Sequence, residues 1–182
     1  MGDATMEKVD LLEQWLARER EVMAIEERAG CGVARPDQAA GKSGLELMLA
    51  LLRGELPYPP IMRTLSYHLV EVNAGHAVFQ GTPGPDHFNP MGGIHGGWYA
   101  TLLDSALGCA VHTVMPAGRA YTTAELSVNL VKGIGPKVQR VRAEGRVVHA
   151  GRQLATAEAR LVGPDGTLYA HGTTTCLVFE VR

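Results

Sequence analysis

Apolar residues recur at helical spacing over residues 1–30. Leu11, Leu12, Trp15, Leu16, Val22, Met23 and Ile25 fall near a 3.6-residue period with Glu and Arg between them, which predicts an amphipathic helix. The pattern breaks over 29–42, where Gly30, Gly32, Pro36 and Gly41 stand among small side chains and predict a linker. A second helix is expected from Ser43, because Ser43 and Glu46 form an S-x-x-E capping box. Leu45, Met48, Leu49 and Leu52 share its apolar face, and Gly54 ends it. Pro57, Pro59 and Pro60 then predict an extended connector over 54–62.

From Thr64 the period falls to that of a strand. Runs at 64–73 and 76–82, separated by Ala74-Gly75, read as a hairpin. A Pro/Gly-rich loop over 83–93 leads to the most apolar helix candidate, about 95–114, closed by Pro116 and Gly118. Four strand runs follow at 121–132, 138–149, 152–162 and 167–180, joined by short turns. Two strands, a helix and a four-strand meander predict an α+β fold. A single antiparallel sheet has one face to bury, and a helix apolar nearly all round must be enclosed. The sheet is therefore expected to curl around that helix. Residues 1–55 read as a helical N-terminal extension and 56–182 as the sheet-and-helix domain.

Composition narrows the class. A chain of 182 residues, 46% hydrophobic and 20% charged, suits one globular domain with a sizeable core. Its formal charge is −2, and residues 1–30 hold eight acidic against four basic residues, so no nucleic-acid partner is expected. Cys31, Cys109 and Cys176 are odd in number and far apart, which argues against a disulfide framework and for a reducing compartment. No apolar run reaches the ~18 residues of a membrane span. Met1–Glu7 is acidic where a signal peptide is basic, so a cytoplasmic location without a membrane partner is expected.

The informative stretch runs from Asn89 through His95-Gly96-Gly97 to Asp104. Glycines cost about 1 kcal/mol each inside a helix, yet two stand where the enclosed helix begins. At a helix amino end they let a ligand approach free N–H groups, where the dipole favours negative charge. Asp104 is the sole formally charged residue between His95 and Arg119, and a carboxylate on an apolar helix is expensive unless paired or used. Taken singly, each feature also has a structural explanation: a capping His95, a hydrogen-bonding Asp104, glycines for close packing.

In combination, Asn89, His95-Gly96-Gly97 six residues on and Asp104 nine further resemble the hotdog-fold acyl-CoA thioesterases, in particular the PaaI-like (phenylacetate-pathway) family. The resemblance extends through Thr122-Thr123-Ala-Glu-Leu-Ser-Val-Asn129 and covers roughly residues 56–180. It implies a hotdog fold, a curved antiparallel sheet wrapped around one long helix. It also implies hydrolysis of an acyl- or aryl-CoA thioester, with coenzyme A entering as part of the substrate and neither cofactor nor metal required. The N–H groups near Gly96 and Gly97, with His95, would form an oxyanion hole. Asp104 would act as general base or nucleophile, Asn89 would hold the carbonyl or the water, and Thr123 (or Thr122) would supply a hydroxyl.

Helix geometry adds a constraint. Nine residues put Asp104 about 13 Å beyond His95 and near the opposite side of the helix. The two cannot meet at one thioester within a chain, so a site shared across a two-fold homo-oligomer, a dimer or a dimer of dimers, is expected. Met91, Trp98 and Tyr99 lie near enough to shape an acyl pocket. Arg140, Arg142, Arg146 and Arg152 are candidate phosphate contacts, though solvated strand faces fit them better, and His171–Thr175 is a candidate channel lining. Asp86, His87, His95 and His112 lack metal-ligand spacing. The rival readings are a hotdog hydratase or dehydratase, and a non-catalytic acyl-CoA-binding regulator.

Overall fold

The computed structural model describes residues 3–181, with side chains from Leu11 onward. Helix α1 spans Asp3–Ala29, α2 Pro36–Ala39, α3 Gly44–Leu52 and α4 Pro60–Thr64. Strands β1 (Tyr67–Asn73) and β2 (His76–Gly81) form the hairpin, and a short 3-10 turn at Pro85–His87 precedes α5 (Gly96–Thr113). Strands β3 (Arg119–Leu130), β4 (Val141–Ala150), β5 (Leu154–Val162) and β6 (Leu168–Glu180) complete the chain. The Ser43 capping box forms as expected, its hydroxyl accepting the Glu46 N–H and its N–H donating to Glu46 Oε2 at 2.7 Å.

The short helices α2 and α4 replace parts of the expected linker and connector. Pro36 and Pro60 occupy the first position of each, where a missing N–H costs no hydrogen bond, so proline starts these helices rather than forbidding them. Because α4 runs to Thr64 and Ser66 takes φ +51°, β1 begins at Tyr67 instead of Thr64.

The six strands form one antiparallel curved sheet in the order β1-β2-β4-β5-β6-β3, matching the hotdog expectation. The last four strands are not a simple meander, however. Helix α5 crosses the sheet and delivers β3 to the far edge beside β6, and residues 131–140 return the chain to pair β4 with β2. Leu102, Leu103, Ala106, Leu107, Ala110 and Val111 of α5 are wholly buried against the inner face. That face is lined by small residues such as Ala143, Ala155, Ala157 and Ala159. At Gly145 an added Cβ would lie 2.2 Å from the Ala106 carbonyl oxygen, so glycine there allows the helix to approach β4.

Helix α1 lies on the opposite, outer face. Val22 packs with Val70 and Val78, whose neighbours along the strands point to α5. Glu19, 4% exposed, takes an ion pair from Arg140 at 2.6 Å and a hydrogen bond from the Gln80 amide at 3.2 Å. The Arg142 guanidinium sits 4.4 Å above the Trp15 ring. Both faces of the β1–β2 hairpin are thus buried, which is why β2 is hidden at nearly every position.

Candidate active site at the amino end of the central helix

The loop before α5 is laced by its own backbone. The His95 N–H donates to the His87 carbonyl at 2.7 Å, Phe88 and Ile94 form an antiparallel bridge, and the Asn89 N–H donates to the Gly93 carbonyl at 2.7 Å. Asn89 Oδ1 accepts the N–H groups of Met91 (2.9 Å) and Gly93 (3.2 Å). Its side-chain carbonyl is therefore committed to the loop, and the Nδ2 amide is the group left for a ligand.

His95 caps the helix in extended conformation, φ −64° and ψ 137°, with Nδ1 accepting the Gly97 N–H at 2.9 Å. The neutral ring then carries its proton on Nε2. This changes the expected oxyanion hole: Gly97's N–H is used by the cap. The Gly96 N–H has no acceptor among the described residues. An added Cβ would come within 2.9 Å of the end of the exposed Leu130 side chain at Gly96 and within 3.0 Å of the capping His95 ring at Gly97, so a larger residue would have to shift either neighbour.

Two turns further on, Asp104 is half-buried, and Thr123 Oγ1 donates to its Oδ1 at 3.3 Å. Sheet register decides between the two threonines. Thr123 lies opposite buried Cys176 and faces the helix, whereas Thr122 lies opposite exposed Leu177 on the outer face. Burial pushes the Asp104 carboxyl above the ordinary carboxylate range, and the Thr123 hydrogen bond draws it partly back. Burial, with the Asp104 charge adding to it, pushes the nearby Cys109 thiol up to about 12, so this cysteine stays protonated. All three cysteines are free.

A single chain does not bring Asp104 to Gly96. Eight residues of helix separate them by about 12 Å, and N–H groups in a first turn point out of the amino end, away from Asp104. Beside them β3 runs for 12 residues with one edge unpaired and most positions exposed.

The remaining candidates are placed elsewhere. Met91 is 91% exposed, while Trp98 and Tyr99 are buried core residues: the Trp98 indole N–H donates to the Leu65 carbonyl at 2.9 Å, and Tyr99 Oη accepts the Ile134 N–H at 2.8 Å. Arg140 and Arg142 are partly buried against α1, Arg140 paired with Glu19 and Arg142 over the Trp15 ring. Arg146 lies opposite Glu158 on the outer face, and Arg152 follows β4 in the turn to β5. His171 and Thr173 point outward, and the buried Thr174 hydroxyl donates to the Glu125 carbonyl at 2.7 Å. Among the described residues no three His, Cys, Asp or Glu side chains gather as metal ligands. His87, weighed in the sequence only as a metal ligand, is buried and stacks on Trp98 with ring centroids 5.2 Å apart. Its Nδ1 accepts the Gly84 N–H at 3.2 Å, and burial lowers its pKa. No sequence pattern marks that role, which depends on the stack.

Comparison with known proteins agrees with this architecture. Residues 91–170 match the Thioesterase superfamily. A curated Halobacterium salinarum protein named as an esterase is 35% identical over 88 residues, covering 48% of this chain and 58% of the relative, so the match spans little more than half of that protein. Among solved structures, a phenylacetic acid degradation-related protein from Ralstonia eutropha superposes with a TM-score of 0.65 at 26% identity, over 71% of this chain and 98% of the other. A thioesterase family protein from Silicibacter pomeroyi gives 0.61 at 27% identity, over 67% and 90%. A variant of phenylacetic acid degradation protein PaaI from Thermus thermophilus gives 0.58 at 28% identity, over 65% and 97%. The chain has the hotdog fold of its structural neighbours, which include PaaI-like thioesterase family proteins, and over residues 91–170 it is similar to the Thioesterase superfamily.

Proposed function

We propose that the protein hydrolyses an acyl- or aryl-CoA thioester to the free acid and coenzyme A, in a site that two subunits of a homodimer build together. The observation that carries this reading is Asp104, the one carboxylate on an enclosed apolar helix, half-buried, raised in pKa and held at one oxygen by Thr123. An ionised group in such a place is a burden on the fold, and perturbed carboxylates of this kind concentrate at functional sites.

In this reading the thioester carbonyl points its oxygen at the free Gly96 N–H of one subunit, at the positive end of α5. The His95 Nε2–H and the Asn89 amide are the neighbouring donors. Asp104 of the other subunit uses the oxygen not bound by Thr123 to take a proton from water as that water attacks the carbonyl carbon. The tetrahedral oxyanion collapses, the C–S bond breaks, and the proton on Asp104 passes to the departing sulfur. No resident cofactor or metal takes part, and the unpaired cysteines suit a cytoplasmic enzyme. The free edge of β3 is the surface that supports dimerisation, since a long unpaired strand is a template for a second copy.

The test is thiol release from a panel of aryl- and fatty-acyl-CoA esters, wild type beside Asp104→Asn. Release by the wild type, reduced at least a hundredfold in a folded Asp104→Asn protein, is the expected result. An unaffected rate would remove Asp104 from the reaction, and bound acyl-CoA without turnover by the wild type would favour the regulator.

A further inference from the structure

His87 is 6% exposed and ends the 3-10 turn that leads into the loop before α5. Three contacts make it a tie between that turn and the helix. Its Nδ1 accepts the Gly84 N–H at 3.2 Å and closes the turn. Its ring stacks on Trp98, with centroids 5.2 Å and planes 27° apart. Its carbonyl accepts the His95 N–H at 2.7 Å, the bond that holds the residue capping α5. Trp98 stands in the first turn of α5, is 3% exposed, and donates its indole N–H to the Leu65 carbonyl. Turn, loop and helix end therefore share one residue.

With Nδ1 accepting, the neutral ring carries its proton on Nε2, and that nitrogen is buried without a partner among the described residues. A cap alone would not select this side chain. Gln or Glu at the third position of such a turn reaches back to the same N–H and leaves no ring donor unmade. What histidine adds is a flat ring for the stack and a single acceptor that a proton abolishes. Once protonated, Nδ1 meets the Gly84 N–H donor to donor, so the turn opens and the carbonyl that holds His95 shifts with it. We infer that His87 is the positioning residue for the amino end of α5: its neutral ring keeps the His95 ring, the Gly96 N–H and the Asn89 amide in place, and protonation releases them. The inference rests on the hydrolysis proposed above, in which those three groups receive the thioester oxygen. Two groups face the ring: Asp86 of its own turn, whose charge favours protonation, and the Trp98 indole of α5, which does not titrate. Burial outweighs Asp86 and lowers the His87 pKa, whereas burial raises that of Asp104. The two protonations therefore approach one another on the pH scale, and either one stops the reaction.

The test reads the ring and the site separately. The NMR shift of the His87 Cε1–H, assigned by its loss in His87→Gln, gives the midpoint of the ring. The His95 and Gly96 backbone amides are expected to show a step at that midpoint in the wild type and none there in His87→Gln. The Gln Oε1 accepts the Gly84 N–H as in a capping box and does not titrate. In turnover, kcat/KM of the wild type is expected to fall on the acid side more steeply than one proton allows. His87→Gln should return that limb to a single proton and lower the plateau by no more than a few-fold. His87→Phe keeps an aromatic stack without the acceptor, and should lose about tenfold or more in kcat with KM within about twofold. Amides of α5 that ignore the ring, a two-proton limb that survives in His87→Gln, or a folded His87→Phe as active as the wild type would overturn the assignment. A wild type that cleaves no thioester would defeat the hydrolase reading instead, and the amide steps would then decide the positioning role by themselves.

Discussion

Asp104 and Thr123 meet between α5 and β3, and in the proposed reaction their hydrogen bond bears on its acid side. Burial raises the Asp104 pKa and the Thr123 hydroxyl lowers it, because the hydroxyl favours the charged form. In the proposed reaction the carboxylate is the active form, so activity is expected to fall as the pH drops through the folded pKa. Thr123→Val removes the opposing influence. Its kcat/KM profile is expected to keep its plateau within a few-fold while the acid limb moves to higher pH; a limb that stays in place would show that Thr123 does not act on Asp104. The same sign governs stability. A carboxyl whose pKa is raised on folding favours the folded state while protonated, and that contribution is lost as the pH rises through the folded value. At neutral pH, Asp104→Asn should therefore melt no lower than the wild type, and somewhat higher, even as it abolishes turnover. Asp104 was legible in the sequence because no other charge lies between His95 and Arg119. The choice of Thr123 over Thr122 was not, since adjacent strand residues differ only in which face they take, and register alone settles that.

At the scale of elements, α5 begins where His95 caps it, and that cap is separable from chemistry. Asn at this position keeps an acceptor for the Gly97 N–H, whereas Ala does not. His95→Ala should lose about 1 kcal/mol in urea unfolding and His95→Asn almost nothing. Both lose the Nε2–H, so both should fall about a hundredfold in kcat; an Asn variant as active as the wild type would confine His95 to capping. The outer face offers a different test. Arg140 pairs with Glu19, whose side chain is 5% exposed, and removing one member of such a pair leaves a buried charge. Arg140→Ala should destabilise by about 3 kcal/mol by the urea midpoint, with kcat unchanged in the folded protein, because α5 lies on the other side of the sheet. The helical period foretold α1, and alternation foretold the strands to within a few residues. What α1 covers was not foretold, because Arg140 and Arg142 read as solvated until a helix 121 residues away lies on them. The order of β3 in the sheet was equally hidden: β3 follows α5 in the chain but pairs with β6, a choice made by where the helix deposits the strand.

For the molecule as a whole, the central question is whether one chain suffices. About 12 Å of helix lies between the free Gly96 N–H and Asp104, and the N–H points away from that carboxylate. If each site takes its oxyanion hole from one subunit and its carboxylate from the other, two inactive proteins should complement. Asp104→Asn keeps an intact amino end of α5, and His95→Ala keeps an intact Asp104. Exchanged at equal concentrations, they form mixed dimers in which one site combines both lesions and the other has none. Random pairing makes half of the dimers mixed, so about a quarter of the wild-type site concentration should be restored. The restored sites should show wild-type KM and the wild-type acid limb, since Thr123 and Asp104 in them come unaltered from the same chain. Recovery should also appear at the rate of subunit exchange, not on mixing. A mixture no more active than the sum of its parts, with exchange demonstrated by mass spectrometry, would place the whole site within one chain. In that event α5 would have to rearrange to bring Asp104 to its own amino end, at the expense of Leu102, Leu103, Leu107 and Val111, which it now buries completely.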